Sequence, residues 1–406
     1  MDLLTKGKLS LFMFLEYFIW GSWYVTMGNY LFTNFNVSAI EVGSAYGNLS
    51  IGALISPFFI GLIADRYFAP KYVIAVLHAL GAIILWIISD LSDFSNFWWL
   101  ILLYCMLFMP TISLSNSISF SLLKNPTKEF PFIRVFGTIG WIVTGLILGY
   151  NGLEASPFTF KLAAAASIML VLLALILPQS KPSVQKEASI KSVIGLDSLS
   201  LLKDRSYLTF FICSIGICIP LSFYYSFTNA YLNDIGLDNV SGKMTFGQIS
   251  EFVFMLFIPF MFRRLGVKAM LLIAVVAWIL RYTLFAFADI ESGTWMLMTG
   301  ILLHGICYDF FFVTGQIYTD SKADDKTRNS AQGLLTFATY GVGMVIGAYI
   351  SGFITEIYVL EESALHLYNW KNVWLIPAYF SVFILIIILI FFKEKLFKRR
   401  RISAEL

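Results

Sequence analysis

Charge is scarce in this sequence: Asp, Glu, Lys and Arg supply 13% of its 406 residues, about half the share of an ordinary soluble domain. A soluble fold of this length cannot hide the 58% that is hydrophobic, whereas a bilayer accepts apolar surface on the outside of a protein. The net charge of +3 offers no basic field for nucleic acid. Cysteine is sparse as well. Cys105, Cys213, Cys218 and Cys307 all fall in apolar blocks, at spacings that match no metal or disulfide framework, and read as small core residues. There is no nucleotide-binding loop, metal-ligand cluster or usefully spaced nucleophile–base pair, so neither an enzyme nor a cofactor is expected. A cleavable signal peptide is not expected either, because the first apolar block, about Leu9 to Phe32, is too long and lacks a small-residue cleavage site.

What the chain has instead is apolar sequence in blocks of about 20 residues, the length of a spanning helix. In hydrocarbon the backbone must bond to itself, which leaves helices or a closed barrel. A barrel shows short alternating segments, and these blocks are continuous. The fold class expected is therefore an all-α integral membrane protein. Twelve transmembrane helices are predicted, at about 9–32, 42–63, 72–89, 97–121, 131–151, 159–177, 207–231, 244–262, 269–287, 295–318, 330–354 and 372–392. The longest polar interruption, 179–206, divides them into bundles at 1–178 and 207–393, with a tail at 394–406. Within the interruption, Ile190 to Leu202 suits a short interfacial amphipathic helix.

Basic residues crowd alternate loops. Lys6, Lys8, Arg66, Lys71, Lys124, Lys128, Arg263, Arg264, Lys268, Lys322, Lys326, Arg328 and the tail fall on one side. The other side holds only Lys161, Lys243 and Lys371 among acidic residues such as Asp90, Asp234 and Asp289. The positive-inside rule then makes both termini cytoplasmic. The tail KEKLFKRRR can bind anionic lipid, although orientation alone accounts for it. The loops Gly61–Tyr72 and Phe262–Leu271 echo one another about half a chain apart, as a duplicated six-helix unit with a midplane site between its halves would give.

Ionisable groups inside spans are costly and each is a functional candidate. Glu16, Arg134, Glu251, Arg281 and Asp309 stand out, joined by His78 and His304. Gln248 and Glu251 share a helical face, as do Arg134 and Thr138. Either pair can bind a small polar substrate, yet a helix–helix hydrogen bond explains the first and a snorkelling arginine the second. Trp141, one turn beyond Thr138, can stack on a planar ligand or simply pack. Asp309, beside Tyr308, can carry a proton or pair permanently with Arg281. Glu16 can do the first too, or pair with a basic group, or face a wet cavity. Trp20 and Trp23 lie near the expected centre, whereas most other tryptophans sit at span ends as interface anchors. Gly137, Gly140, Gly341, Gly343 and Gly347 suit close helix contacts.

The run G-x-x-A-D-R-x-x-x-x-K at Gly61–Lys71 resembles the cytoplasmic loop motif of the major facilitator superfamily. That resemblance implies a 6+6 pseudo-symmetric fold and a gating role for Asp65 and Arg66. WGSWYVTMGNYL (Trp20–Leu31), FPFIRVFGTIGW (Phe130–Trp141), GQISEFVFMLFIPF (Gly247–Phe260), VAWILRYTLFAFAD (Val276–Asp289), YDFFFVTG (Tyr308–Gly315) and RNSAQG (Arg328–Gly333) look like the bacterial nucleoside:proton symporter family. The likeness implies proton-coupled nucleoside import across the inner membrane by alternating access. It further implies that Gln248 and Glu251 line the substrate site and that Arg134 and Thr138 contact the nucleoside.

Three places depart from the family's pattern. His304 stands where an aromatic hydroxyl is expected, Glu16 where an uncharged amide is, and Ser222 and Tyr225 where two amides are, with Asn229 a turn beyond. The expected substrate site is thus Arg134, Thr138, Trp141, Ser222, Tyr225, Gln248, Glu251, His304, Tyr308 and Asp309, with Glu251, Asp309 or Glu16 carrying the proton. The partners implied are a nucleoside, protons and membrane lipid, with the protein a monomer. A sugar symporter of the same fold and a transport-inactive membrane receptor are the rival readings.

Overall fold

The structure, a computed structural model, describes residues 3–178, 196–324, 327–360 and 367–393, without the side chains of 3, 57–67 and 126–127. The described residues are almost entirely helical, with a single bridge between Val359 and Tyr368. Span one is Leu3–Trp23 continued by Met27–Phe35, followed by Ala39–Tyr67, Pro70–Ile88, Phe94–Leu122, Pro126–Tyr150 and Phe158–Leu175. Span seven is Arg205–Asp234; spans eight and nine share the run Val240–Phe287. Spans ten to twelve are Thr294–Lys322, Arg328–Ile357 and Trp370–Phe391. All twelve expected crossings are present among the described residues.

Where the structure departs from the expected spans, the backbone explains it. No loop separates spans eight and nine: Gly266, at φ 72°, reverses the chain alone, in a conformation a Cβ would strain. Span one is broken at Tyr24–Thr26, which would leave backbone groups unpaired in hydrocarbon. The Tyr46 hydroxyl mends the break, donating to Tyr24 O at 2.7 Å and accepting from Gly28 N at 3.1 Å. Within the central loop, Leu196–Lys203 is a 3-10 helix held to the loop between spans ten and eleven by Ser198 Oγ donating to Thr327 O at 3.2 Å. Asp204 ends it by capping span seven, accepting from Ser206 N at 2.8 Å. The earlier part of the expected amphipathic helix, 190–195, lies outside the described residues, as does the basic tail from residue 394. The side chains of Asp65 and Arg66, at the end of span two, also lie outside them. Lys71 of the same motif is buried and donates to Leu177 O at 2.9 Å, neutralising the carboxyl end of span six.

The first six spans pack chiefly on one another, as do the last six. The halves meet through spans two and eleven, five and eight, and one and seven. Trp86, Leu103, Phe383 and Ile390 are exposed on the periphery, the face a bilayer covers. The closest approach of the halves is at the end opposite the chain termini. A Cβ on Gly43 would lie 2.9 Å from the Gly352 Cα, so the two helices touch backbone to backbone. The rings of Tyr24 and Tyr225, 5.5 Å apart, and of Phe32 and Tyr368, 5.6 Å apart, seal the same end.

Two carboxylates complete the seal, each crossing from one half to cap a helix of the other. Glu356 Oε2, at the end of span eleven, accepts from Ala39 N at 2.7 Å, in the first turn of span two. Glu154, in the loop after span five, accepts from Ser241 N in the first turn of span eight. Asn239 at that N-cap makes no side-chain cap of its own. Toward the terminal end the halves diverge, and Phe252, Val253, Met255, Leu256 and Phe257 of span eight are exposed while Val240 to Thr245 are mainly buried.

Candidate functional site

A cavity between the halves is lined by Gly21, Thr26 and Trp141 from one side and by Tyr225, Thr245 and Gln248 from the other. Around it, polar side chains at mid-span are half-buried rather than buried: Arg134, Thr138, Glu251, Tyr308 and Tyr340. Span five presents Arg134, Thr138 and Trp141 on successive turns of one face, as their spacing requires. Arg134 does not snorkel away. Its guanidinium lies over the Tyr17 ring at 3.9 Å, a geometry in which ring and cation attract without neutralising the charge. Trp141 meets Trp20 edge to face at 5.5 Å. The amino-terminal wall is therefore a cation set among aromatic faces.

The opposite wall is acidic and hydroxylic. Glu251 Oε2 lies 3.8 Å from His304 Nε2, and its side chain keeps 26% of its exposure. The Tyr308 and Tyr340 hydroxyls hydrogen-bond to each other. Tyr308 directly precedes a π-helical turn, Asp309–Val313 in span ten, and Tyr340 lies within another, Phe337–Gly343 in span eleven. A π turn inserts one residue into the helical register, and such turns recur at functional sites because they re-aim side chains.

Behind this wall, Arg281 is fully buried. It stacks on Tyr224 at 3.5 Å and places Nη1 3.2 Å from His304 Nδ1. Arg281 was open to pairing with Asp309 on sequence grounds; its hydrogen bond goes to His304. Among the described residues both carboxyl oxygens of Asp309 lack a hydrogen-bond partner, and the residue is fully buried.

Two expected site residues are placed elsewhere. Ser222 is buried against span eleven, donating to Cys218 O at 2.8 Å and lying 3.6 Å from Met344 Sδ, because its face of span seven turns away from Tyr225. Glu16 is buried inside the amino-terminal half. It accepts from Thr111 Oγ1 at 2.5 Å and Ser115 Oγ at 3.2 Å, and pairs with His78 Nε2 at 3.2 Å. It faces neither the cavity nor a surface basic group. Asn229 donates to Ser241 Oγ at 3.1 Å near the sealed end. Tyr17, under Arg134, and Tyr340, bonded to Tyr308, are the neighbours of the expected site that sequence reasoning missed. A search for ionisable groups in spans passes over two phenols among 20 tyrosines; the TYGVG run around Tyr340 was the available signal.

Twelve spans in two facing six-helix groups, with a cavity between them and polar side chains at mid-span, define a major facilitator type of membrane transporter. A family model described as nucleoside H+ symporter matches residues 3–396. The putative nucleoside transporter YegT of Escherichia coli K12 is 40% identical over 96% of this chain and 94% of its own length. The nucleoside permease NupG of the same organism is 33% identical, over 96% of each chain. A crystal structure of nucleoside transporter NupG superposes with a TM-score of 0.89, at 32% identity, covering 97% of this chain and all of the other. The chain belongs to the nucleoside H+ symporter family, whose function is proton-coupled nucleoside import.

Proposed function

We propose that the nucleoside sits between the two cavity walls, with Arg134, Thr138 and Trp141 on one side and Tyr225, Gln248, Glu251, His304 and Tyr308 on the other. The observation that carries this reading is that Trp141, Tyr225 and Gln248 line a single cavity between the halves. The aromatic wall can stack on a base, while Gln248 and Glu251 supply an amide and two acceptors for ribose hydroxyls and ring edges. Lysine and arginine placement makes the terminal end cytoplasmic, so the conformation described is open to the cytoplasm and sealed outside. The likenesses to YegT and NupG, whose names concern nucleosides, support the substrate class. The exposed terminal part of span eight supports the direction of opening.

Asp309 is the carboxyl we assign to the proton. A carboxylate buried without a donor costs several kcal/mol, a cost that a bound proton removes. Motion that wets span ten is then linked to whether that proton is present. Glu251, exposed to the cavity and beside His304, belongs with the substrate. Glu16, supplied with donors inside one half, is left out of the proton path.

Asp309→Asn in proteoliposomes tests the assignment. Uptake of labelled uridine driven by an imposed pH gradient should be abolished, while uridine exchange at equal concentrations continues. Full gradient-driven accumulation by the variant would remove Asp309 from coupling. Competition by nucleosides and sugars against the same label checks the substrate class, and a sugar that outcompetes every nucleoside would overturn it.

A further inference from the structure

His304 is gripped on every side. Its ring stacks between Tyr224, with centroids 5.0 Å apart, and Tyr308, at 5.9 Å, and meets Tyr225 edge-on at 6.4 Å. The charged groups against it are Arg281, from span nine, and Glu251, from span eight; the three tyrosines are the other ionisable neighbours. Arg281 Nη1 lies 3.2 Å from His304 Nδ1. A guanidinium has donors only, so the contact is a hydrogen bond only if Nδ1 offers a lone pair. A neutral imidazole with Nδ1 as acceptor carries its proton on Nε2. Nε2 is the atom that faces Glu251, 3.8 Å from Oε2.

The geometry points to Arg281 as a positioning residue that never touches substrate. It sets the tautomer of His304, so that a fixed Nε2–H donor is presented to Glu251, the carboxylate that remains partly exposed to the substrate. Because Nδ1 is occupied by a cationic donor, His304 stays a neutral donor through the working pH range and takes no part in proton carriage. Selectivity would follow from the way that donor orients the Glu251 carboxylate, whose side chain is the part of this pair left partly exposed. This substrate-facing part rests on the reading of Glu251 as a substrate group; the tautomer does not.

Nitrogen-15 NMR of histidine-labelled protein in nanodiscs tests the tautomer directly. The His304 resonances are identified by their loss in His304→Gln, among three histidines in the chain. Between pH 5 and 8, Nδ1 should stay unprotonated and Nε2 protonated; a proton on Nδ1, or an imidazolium, overturns the inference. In Arg281→Lys, which keeps a donor, the tautomer and the pH profile of uptake should persist. Arg281→Met should add an ionisation to that profile, and a second change, His304→Gln, should erase it. A merely structural arginine would lower uptake without moving the profile, and that result would refute the positioning role. If the tautomer holds but His304→Gln leaves nucleoside selectivity untouched, the reading of the substrate site fails instead.

Discussion

Opening the sealed end must break the two carboxylate caps that cross between the halves. Glu356 to Ala39 N measures 2.7 Å, and Glu154 to Ser241 N is its pseudo-symmetric counterpart. Each satisfies an orphan donor in a helix's first turn and places negative charge against the positive end of the macrodipole. Removing a capping side chain costs about 1 kcal/mol in typical cases and up to about 2. Glu154 is buried and Glu356 half-buried, so neither cap is much weakened by solvent. Glu154→Ala with Glu356→Ala should therefore shift the equilibrium toward opening at that end by about 2–3 kcal/mol, or about 30- to 150-fold.

A cysteine at Thr245, on the cavity lining and outside the ring pairs of the seal, reports the shift, because Cys105, Cys213, Cys218 and Cys307 are all buried. Its labelling by an impermeant maleimide added from the side opposite the termini should accelerate by that factor in the double variant. Each single variant should give roughly half the effect in free energy. Unchanged labelling in a normally folded double variant would show that the caps do not hold the end shut.

Glu16→Gln should keep pH-driven accumulation, since the carboxylate is enclosed by His78, Thr111 and Ser115 rather than by the cavity. Glu16→Ala should lower stability by about 3–5 kcal/mol, because the donors around it lose their partner. Loss of accumulation in a well-folded Gln variant would put Glu16 on the proton path after all. A third prediction concerns the central loop. The Lys322 ammonium, bonded at 2.7 Å, holds the Asp204 carboxyl below its ordinary value of 3.8. A depressed acid stabilises the fold above its unfolded value, and that contribution is lost as the pH falls through the folded one. The pair is partly exposed, so Lys322→Met should cost no more than about 1 kcal/mol at pH 7. The deficit, read from thermal unfolding of purified protein, should shrink as the pH falls below 3.8 toward the lowered folded value; a deficit that stays constant over that fall would refute the linkage.

Membrane embedding and the number of spans were legible in the sequence, since apolar block length adds along a chain with little regard to neighbours. Gln248 with Glu251, and Arg134 with Thr138, were legible as pairs because helical spacing alone puts them on one face. Which face looks into the cavity was not legible, and Ser222 against Met344 shows why: it is settled by rotation and packing of neighbouring helices. Glu16 shows the same limit, its meaning resting on His78 and Thr111 in two other spans. The aim of Tyr308 and Tyr340 follows π turns that hydropathy does not register. The carboxylate caps join residues more than 80 positions apart. The sequence by itself determined that this chain crosses a membrane twelve times with costly charges inside. Only the tertiary structure decided which of those charges meet, because a buried group's role depends on its partners in space.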